Sequence, residues 1–469
     1  MRVSRKIRKV AASASASAAL AVAVAVTVAT AAAGIPARAG TDPAGAIAAT
    51  TASVTVVPWQ AHQVVDGFGF AEAFREPVLT ALPAAEQERL GALLFSARRG
   101  AGMSIVRFGL GGATDPGDPI SGPGDVADQA WLGKLAERFG VRQFYADAWS
   151  APPPFKTNDS LDNGGYLCGV PGESCASGDS RQAYASYLAA EAQGFARQGI
   201  PLEAVDFVNE PEIGPAYASM YMTPAQAADF VPYLGRALAD RRLPTKVACC
   251  DAEGWLDAPG FAGGQAYTKA VLSDPRAARY ISLITSHGYT AAPSVPLTDK
   301  RPVWETEWAD FGPWDASWDD GTAGDGFTWA QKIQDALTQG DVDAFCYWWG
   351  ASASTANSGL IQVQGSAINL SKRYWAFAAF GRYIRPGAVR IGATTDNSNM
   401  RVSAFRDRDG ATVVEILNSA GAAQPVALRG VPAGRAAAYV TNEADALAPR
   451  YGPLTVPARS LLTVVVPAR

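Results

Sequence analysis

Histidine is almost absent from this chain, with two residues among 469. A zinc site built from several histidines is therefore excluded. The sequence has no Gly-x-Ser-x-Gly elbow, so we expect no esterase-type triad. Gly67-Phe-Gly69 lacks the third glycine of a phosphate-binding loop, and Glu72 nearby would repel an anion. We expect neither a metal nor a cofactor.

Acidic residues are absent from the first 39 positions, which hold six basic side chains. A basic start, an Ala/Val-rich run and Ala37-Arg-Ala39 before Gly40 predict a secretory signal peptide at residues 1–39. A membrane anchor is the alternative, although alanine is only weakly membrane-favouring. Removing this segment leaves 34 Lys+Arg against 44 Asp+Glu. We expect a secreted, extracellular monomer that contacts no membrane after cleavage and no nucleic acid, since phosphate contacts need clustered basic residues.

Cysteine is scarce, and five residues leave at least one unpaired within the chain. Cys168 and Cys175 share a Gly/Ser-rich loop, so we expect them to form a disulfide in an oxidising compartment. Cys249, Cys250 and Cys346 lie in or beside apolar runs, where buried thiols are the expectation.

Apolar runs alternate with helical patterns from residue 64 to residue 384, which is typical of parallel β/α units. Eight strands are expected, at residues 64–70, 103–108, 141–146, 204–208, 246–250, 280–285, 302–306 and 342–348. Six helices are expected at residues 84–98, 126–139, 181–198, 224–241, 327–339 and 372–383. The predicted fold class is α/β, with a (β/α)8 TIM barrel at residues 64–384.

Short alternating strands follow Pro386, at residues 401–406, 412–418, 436–441 and 460–466. They predict a β-sandwich at residues 385–469. The segment at residues 40–63 contains a further strand, at 52–58, that we expect to join this sandwich. No Pro/Ser-rich linker separates the parts, so we expect the sandwich to pack rigidly on the barrel.

Two glutamates close short apolar runs, Glu210 in Val205-Asp-Phe-Val-Asn-Glu-Pro211 and Glu307 in Val303-Trp-Glu-Thr-Glu-Trp308. The carboxyl ends of barrel strands carry the reacting groups in this fold. Counting strands places Glu210 after the fourth and Glu307 after the seventh. Glycosidic cleavage needs one carboxyl group that protonates the leaving oxygen and a second that attacks the sugar or activates water. We predict that these two glutamates are the catalytic pair.

Other strand ends offer supporting residues. Asn209 can donate to a sugar hydroxyl, His287 can hydrogen-bond the two carboxyl groups, and Arg107 can keep Glu307 ionised. The alternatives are an Arg107 paired with Asp147 or Glu305, and a His287 that serves only the core.

Aromatic residues crowd the ends of the last two barrel strands. Sugar rings stack on such side chains, so we predict that Trp149, Tyr289 and Trp348 bind substrate. One of Trp348 and Trp349 is expected to point away from the barrel axis, because neighbouring strand residues alternate. Tyr166 and Tyr217 are further candidates for the cleft wall.

The chain resembles glycoside hydrolase family 30, in the branch known mainly from fungal xylanases. The resemblance rests on motifs that span nearly all of the chain after residue 39: Asp66-Gly-Phe-Gly-Phe-Ala-Glu-Ala-Phe74, Tyr145-Ala-Asp-Ala-Trp-Ser-Ala-Pro152, Asn163-Gly-Gly-Tyr-Leu-Cys168 with Cys175, Phe207-Val-Asn-Glu-Pro211, Ser286-His-Gly-Tyr289 and Trp304-Glu-Thr-Glu-Trp-Ala-Asp310. It implies a retaining mechanism with Glu210 as acid/base and Glu307 as nucleophile. It also implies a β-sandwich fused to the barrel.

The resemblance leaves several substrates open. Relatives hydrolyse β-1,4-xylan, glucuronoxylan, β-1,6-galactan, β-1,6-glucan or glucosylceramide. Arg75 matches the region where some xylan-acting relatives hold a glucuronate branch, while the neighbouring Glu76 would oppose a uronate. We expect a secreted endo-β-1,4-xylanase acting on plant cell-wall polysaccharide, with an endo-β-1,6-galactanase as the alternative. A carbohydrate-binding protein on an inactive barrel is the third hypothesis.

Overall fold

A computed structural model describes residues 51–110, 126–257 and 262–468 of the chain. The predicted signal peptide lies outside these residues. No helix among those described is both long and apolar enough to cross a lipid bilayer.

The first strand, β1 (Ala52–Val65), belongs to the C-terminal β-module, and the barrel begins directly after it. Eight parallel strands then form a closed ring in chain order, because the last of them pairs with both the first and the seventh. They are β2 (Gly67–Ala71), β3 (Ile105–Leu110), β4 (Gln143–Ala148), β5 (Ala204–Val205), β6 (Lys246–Ala252), β7 (Ile281–His287), β8 (Val303–Glu307) and β9 (Ala344–Ser352). The predicted (β/α)8 barrel is confirmed.

Nine helices occur within the described residues, and they include all six that the sequence predicts. They are α1 (Glu76–Thr80), α2 (Ala84–Phe95), α3 (Val126–Glu137), α4 (Arg181–Arg197), α5 (Pro224–Asp240), α6 (Gly264–Leu272), α7 (Pro275–Ala278), α8 (Gly326–Thr338) and α9 (Lys372–Tyr383). The best-defined start is that of α5, where Thr223 and Gln226 form a reciprocal capping box around Pro224.

The C-terminal module contains β1 and the last eight strands of the chain. Between barrel and module, β10 (Gly359–Gln364) and β11 (Ala367–Leu370) extend the barrel sheet beside β9. The module follows with β12 (Ala388–Thr395), β13 (Met400–Arg406), β14 (Thr412–Asn418), β15 (Gln424–Arg429), β16 (Ala437–Thr441), β17 (Ala448–Arg450), β18 (Thr455–Val456) and β19 (Ser460–Val466). Its order is β17-β16-β19-β14-β13-β12-β1-β15-β18, so the N-terminal strand lies inside the module as predicted.

One strand boundary differs from the prediction at the start of the barrel. Val64 and Val65 pair with Val389 and Ala388 of β12, so they end the module strand β1 and do not begin the barrel. The barrel strand starts only at Gly67, whose φ of 150° separates the two strands. A continuous apolar run therefore hides a change from one sheet to the other.

Buried polar and aromatic contacts join the barrel to the β-module. The Trp318 indole donates to the Arg459 carbonyl at 2.7 Å, and Ser403 donates to Gln334 of α8 at 2.9 Å. Tyr383 at the end of α9 stacks on Tyr439 of β16 with ring centroids 5.1 Å apart. These contacts agree with the absence of a linker in the sequence.

Candidate active site

A cavity of about 630 Å³ opens at the carboxyl ends of the barrel strands. Seven of the nine residues that the sequence predicts for the site line it: Arg75, Trp149, Asn209, Glu210, Tyr289, Glu307 and Trp348. The other two, Arg107 and His287, are completely buried below the cavity. They contact the carboxyl groups of the two glutamates, as the sequence predicts, and they are not part of the cavity wall.

Glu210 does not sit at the end of a regular strand. The predicted fourth strand runs to residue 208, whereas β5 ends at Val205. The carboxylate of Asp206 accepts the Phe207 N–H at 2.7 Å, which diverts the chain from regular pairing. Glu210 then adopts a left-handed φ of 45°, and its N–H donates to the Asp251 carbonyl at 2.8 Å. This strained geometry is held by the neighbouring strand β6.

Glu210 is 6% exposed, and its carboxyl group meets His287 Nδ1 at 3.0 Å. The hydroxyl of Tyr217 lies 3.5 Å from its other oxygen. Burial raises the pKa of Glu210 to about 7, Arg107 opposes the rise and Asp251 adds to it. A carboxyl group with this pKa can give and take a proton near neutrality.

Glu307 closes β8, as predicted, and is held by two donors. One Arg107 guanidinium nitrogen donates to Oε2, and the Tyr289 hydroxyl donates to Oε1 at 2.8 Å. Burial raises the pKa of Glu307, while His287 and Arg107 lower it. Direct donors favour the charged form of the carboxylate, which is the form a nucleophile needs.

The two glutamates face each other closely. One carboxylate oxygen of Glu210, one of Glu307 and one ring nitrogen of His287 all lie within 4.8 Å of one another. Burial lowers the pKa of His287, and the nearby carboxylates of Glu307 and Asp251 oppose that change. The ring therefore contacts the acidic pair mainly as a neutral hydrogen-bonding group.

Arg107 fixes the amide orientation of Asn209. Its second guanidinium nitrogen donates to Asp147 at 2.7 Å and to the Asn209 oxygen at 2.9 Å. Because arginine can only donate, the amide oxygen of Asn209 is occupied and its NH2 group is left for a ligand. Pairing with Asp147, foreseen as an alternative, thus coexists with pairing to Glu307.

Three aspartates lie buried close to Glu210 and Glu307: Asp147, Asp206 and Asp251. One oxygen from each lies within 4.8 Å of the others. Asp251 receives the Tyr145 hydroxyl on one oxygen and the Thr306 hydroxyl at 2.5 Å on the other. Burial raises the pKa of Asp147 and Asp206 well above the ordinary range, and Asp251 raises both further.

This cluster and the Glu210–His287–Glu307 group are close enough in geometry to hold a cation. In both, however, the Arg107 guanidinium already contacts a carboxylate, Glu307 in one and Asp147 in the other. The Arg107 side chain therefore provides the positive charge beside both groups of carboxylates.

The family profile described as "Glycosyl hydrolase family 30 TIM-barrel domain" matches residues 132–301, and the profile of the family's "beta sandwich domain" matches residues 387–464. The solved catalytic domain of GH30 xylanase C from Talaromyces cellulolyticus is 37% identical, with a TM-score of 0.81. The match covers 88% of this chain and 99% of that one. The chain belongs to glycoside hydrolase family 30.

Curated relatives of this family 30 hydrolase carry different specificities in their names. The endo-1,6-beta-D-glucanase neg1 of Aspergillus fumigatus is 25% identical over 405 residues, covering 76% of this chain and 79% of the relative. The glucuronoxylanase XynC of Bacillus subtilis is 25% identical over 302 residues, covering 61% of this chain and 66% of the relative. Membership thus identifies a glycosidase and leaves the polysaccharide open.

Aromatic rings form much of the cavity wall of the family 30 hydrolase. Both Trp348 and Trp349 line it and stack with centroids 4.9 Å apart, so the prediction that one points away is wrong. The register of β9 against β2 shifts between Tyr347 and Trp349, which makes Trp348 an extra residue. Such a bulge breaks the alternation of side chains. Tyr166 is absent from the wall and packs against Tyr221.

Five further residues of the wall were not predicted as site residues, although Tyr217 was considered: Phe74, Tyr217, Ala218, Glu253 and Phe311. Phe311 is 59% exposed and stacks on Tyr289, while Tyr217 is 51% exposed. These residues stand on loops, where no periodic pattern marks them. The sequence indicates only that each of them follows a barrel strand, where site residues are expected.

Arg75 lines the same cavity with its guanidinium 4.1 Å above the Trp349 ring. Its Nε is buried without a hydrogen-bond partner among the described residues. The positively charged side chain of Arg75 is therefore part of the cavity wall beside β2 and β9.

The cysteines of the hydrolase are arranged in two close pairs. Cys168 and Cys175 lie with their Cα atoms 5.5 Å apart and their sulfurs in bonding contact. The structure also places the sulfurs of the adjacent Cys249 and Cys250 together, across a cis peptide bond. Two of the three residues expected as buried thiols are thus paired, and Cys346 is free and buried.

Proposed function

We propose that this chain is a secreted, retaining endo-β-1,4-xylanase. The observation that carries the mechanism is the approach of the two carboxyl groups, with oxygens within 4.8 Å. Carboxyl groups about 5–5.5 Å apart are typical of retaining enzymes, whereas about 6.5–9.5 Å leaves room for the water of an inverting one. The observation that carries the substrate is 37% identity to a xylanase over nearly its whole catalytic domain.

In the first step, the Glu210 carboxyl group gives its proton to the glycosidic oxygen while a Glu307 oxygen attacks the anomeric carbon. The glycosidic C–O bond breaks, the leaving sugar departs as an alcohol, and the remaining sugar is esterified to Glu307. In the second step, the Glu210 carboxylate takes a proton from water, whose oxygen displaces Glu307. Two inversions return the original anomeric configuration.

The surroundings of each glutamate support this division of roles. Glu307 accepts from Arg107 and Tyr289, which stabilise a carboxylate poised to attack. Glu210 contacts no guanidinium of the described residues, and its pKa of about 7 keeps the carboxyl group protonated below neutrality. The free NH2 group of Asn209 supports a hydrogen bond to the substrate beside the reacting carbon.

A β-1,6-linked glycan is the second candidate substrate. A β-1,6-glucanase from Aspergillus fumigatus matches 76% of this chain, although at 25% identity. An endo-β-1,6-galactanase, the alternative that the sequence leaves open, belongs to the same linkage class. The xylanase proposal ranks first because its supporting relative is more similar.

Secretion completes the proposal. Residues 1–39 have the composition of a signal peptide, and the contact of Cys168 with Cys175 fits a disulfide formed in an oxidising compartment. Export would bring the enzyme to its insoluble plant polysaccharide.

A product profile tests the proposal directly. Linear xylan, glucuronoxylan, arabinoxylan, β-1,6-glucan and β-1,6-galactan are incubated side by side with the purified enzyme. We expect oligosaccharides of several lengths from the xylans early in the reaction, as internal cleavage requires. Release from a β-1,6-glycan with none from xylan would replace the xylanase proposal by its alternative.

A further inference from the structure

Glu253 is a third acidic residue of the cavity wall, besides Glu210 and Glu307. Its backbone is fixed on both sides. The N–H donates to the Glu212 carboxylate at 3.1 Å, and the carbonyl accepts the Tyr289 N–H, also at 3.1 Å. Its own carboxylate accepts no hydrogen bond from any residue that the structure describes. A carboxylate on a fixed backbone that accepts from no described residue is available to accept from a ligand.

Glu253 and Arg75 lie on opposite sides of the cavity. Glu253 directly follows β6, the fifth barrel strand, and Arg75 lies in the loop after β2, the first. Strands four apart in a ring of eight are on opposite sides. The cavity therefore has a cationic wall at Arg75 and an acidic wall at Glu253.

Glu253 lies on the side of Glu210, because the Glu210 N–H donates at 2.8 Å to the carbonyl of Asp251, two residues before Glu253. The pKa of Glu253 is raised by its burial and then by the charge of Glu210. A general acid must reach the oxygen between the two sugars, so it stands toward the sugar that leaves. The acidic wall thus faces the leaving group if the proposed mechanism holds.

We propose that Glu253 is a specificity-determining residue for the leaving-group sugar. Its carboxylate accepts hydrogen bonds from the hydroxyls of a neutral sugar there and repels a uronic-acid substituent at the same position. Charged acceptors form strong hydrogen bonds with hydroxyl groups, whereas two carboxylates at one position repel each other. This inference deepens the proposed function and rests on it.

The test uses two xylo-oligosaccharides of equal length, one neutral and one with a single glucuronic acid on a known internal residue. Cleavage positions are read by mass spectrometry and kcat/KM by product release, at one near-neutral pH. The variants are Glu253→Gln, which keeps size and removes charge, and Glu253→Ala. Glu173→Gln is the matched control, because Glu173 is partly exposed and stands outside the cavity wall.

For the wild type and Glu173→Gln we expect products in which the uronic acid is never on the first leaving sugar. Glu253→Gln should raise cleavage in that register by about tenfold or more, since it removes a like-charge contact. Glu253→Ala should lower kcat/KM on the neutral substrate by roughly tenfold, since a hydrogen bond to a charged group is lost.

Unchanged cleavage positions in both Glu253 variants, with an active wild type, would overturn the specificity role and leave the xylanase proposal intact. Hydrolysis of neither oligosaccharide by the wild type would overturn both. Melting curves of the variants matching that of the wild type establish that lost activity does not reflect unfolding.

Discussion

At the scale of single residues, the account rests on two carboxyl groups with different surroundings. Glu307 is held by Arg107 and Tyr289, while Glu210 is held by the neutral His287. The same residue type can therefore attack in one position and exchange protons in the other, which is how environment divides roles between paired carboxyl groups.

Substitution of each glutamate should separate the two roles. Glu210→Gln should lower kcat on xylan by about 10²–10⁴, because general acid assistance is lost. The loss should be much smaller on an aryl xyloside whose leaving group needs no proton. Glu307→Gln should abolish turnover of both substrates, since no covalent intermediate can form.

The control for both substitutions is Glu173→Gln, which should retain wild-type rates on either substrate. Equal losses on xylan and on the aryl xyloside for Glu210→Gln would contradict its role as general acid. Wild-type-like hydrolysis of xylan by that variant would contradict any catalytic role for Glu210.

The pKa of Glu210 predicts the alkaline limb of the pH profile. The group must be protonated in the free enzyme to serve as acid, so kcat/KM should fall as pH rises through about 7. Initial rates on xylan from pH 4 to pH 9 measure this limb. A plateau that extends beyond pH 9 would show that the proton of Glu210 is not required.

The proposed catalytic pair is predictable from sequence because each glutamate ends an apolar run with a recognisable motif. Asp251 and Glu253 were missed for a physical reason. Both follow the run Val247 to Cys250, and their place in the site depends on contacts with residues more than 30 positions away. Asp251 accepts from Thr306, and the Glu253 carbonyl accepts from the Tyr289 N–H. Local periodicity carries no information about that convergence.

At the scale of elements, two local departures from regular strands shape the cavity. β5 ends five residues before Glu210, and the bulge at Trp348 turns two successive rings toward the substrate. The alternation rule predicts a regular strand at both places, and side-chain hydrogen bonds or an extra residue override it. Bulges near active sites commonly re-aim side chains in this way.

The loop between β4 and α4 is the element with the clearest stability prediction. Cys168 and Cys175 close a short ring in it, and the buried Lys156 amine donates to Ser150 at 2.9 Å and to the Ser219 carbonyl at 2.7 Å. The double variant Cys168→Ser/Cys175→Ser should lose about 2–3 kcal/mol of unfolding free energy, from the entropy of the closed loop.

Thermal unfolding of the wild type and the double serine variant, each with and without reductant, measures this loss. Reductant should destabilise the wild type and leave the variant unchanged. Equal melting temperatures for the two proteins under oxidising conditions would contradict a disulfide in this loop.

At the scale of the whole molecule, the β-module is joined to the barrel through a buried polar interface. Gln334 of α8 accepts from Ser403 of β13, and Ser403 pairs across the sheet with Glu415. One oxygen of Glu415 accepts from Thr463 at 2.8 Å, while the other is buried without a partner among the described residues. Burial raises the pKa of Glu415 well above its usual range.

This raised pKa predicts a pH-dependent stability. The folded state retains a proton on Glu415 that the unfolded chain releases above about pH 4.3. The stability contributed by the protonated group is complete below that pH and is lost as pH rises toward the folded pKa. Glu415→Gln, which mimics the protonated form, should therefore be more stable than the wild type at pH 8 by roughly 1–3 kcal/mol.

Urea unfolding at pH 4 and pH 8 measures the difference between wild type and Glu415→Gln. The two proteins should be nearly equal at pH 4 and diverge at pH 8. A constant difference at both pH values would show that Glu415 is ionised in the folded protein as in the unfolded chain.

The overall architecture is predictable because eight apolar runs alternate with helical patterns along the chain. The order of strands in the β-module is not, since β1 lies between β12 and β15, more than 320 residues away in sequence. Strand partners in such a sheet depend on long-range packing, and a strand's own residues indicate only that it has a buried face.

The most direct measurement of the central claim is the trapping of the covalent intermediate. The enzyme is incubated with a 2-deoxy-2-fluoro-xylobioside that carries an activated leaving group, digested, and sequenced by mass spectrometry. The account predicts one sugar ester on Glu307, together with β-configured first products in proton NMR. A label on Glu210, or turnover with α-configured first products and no label, would contradict it.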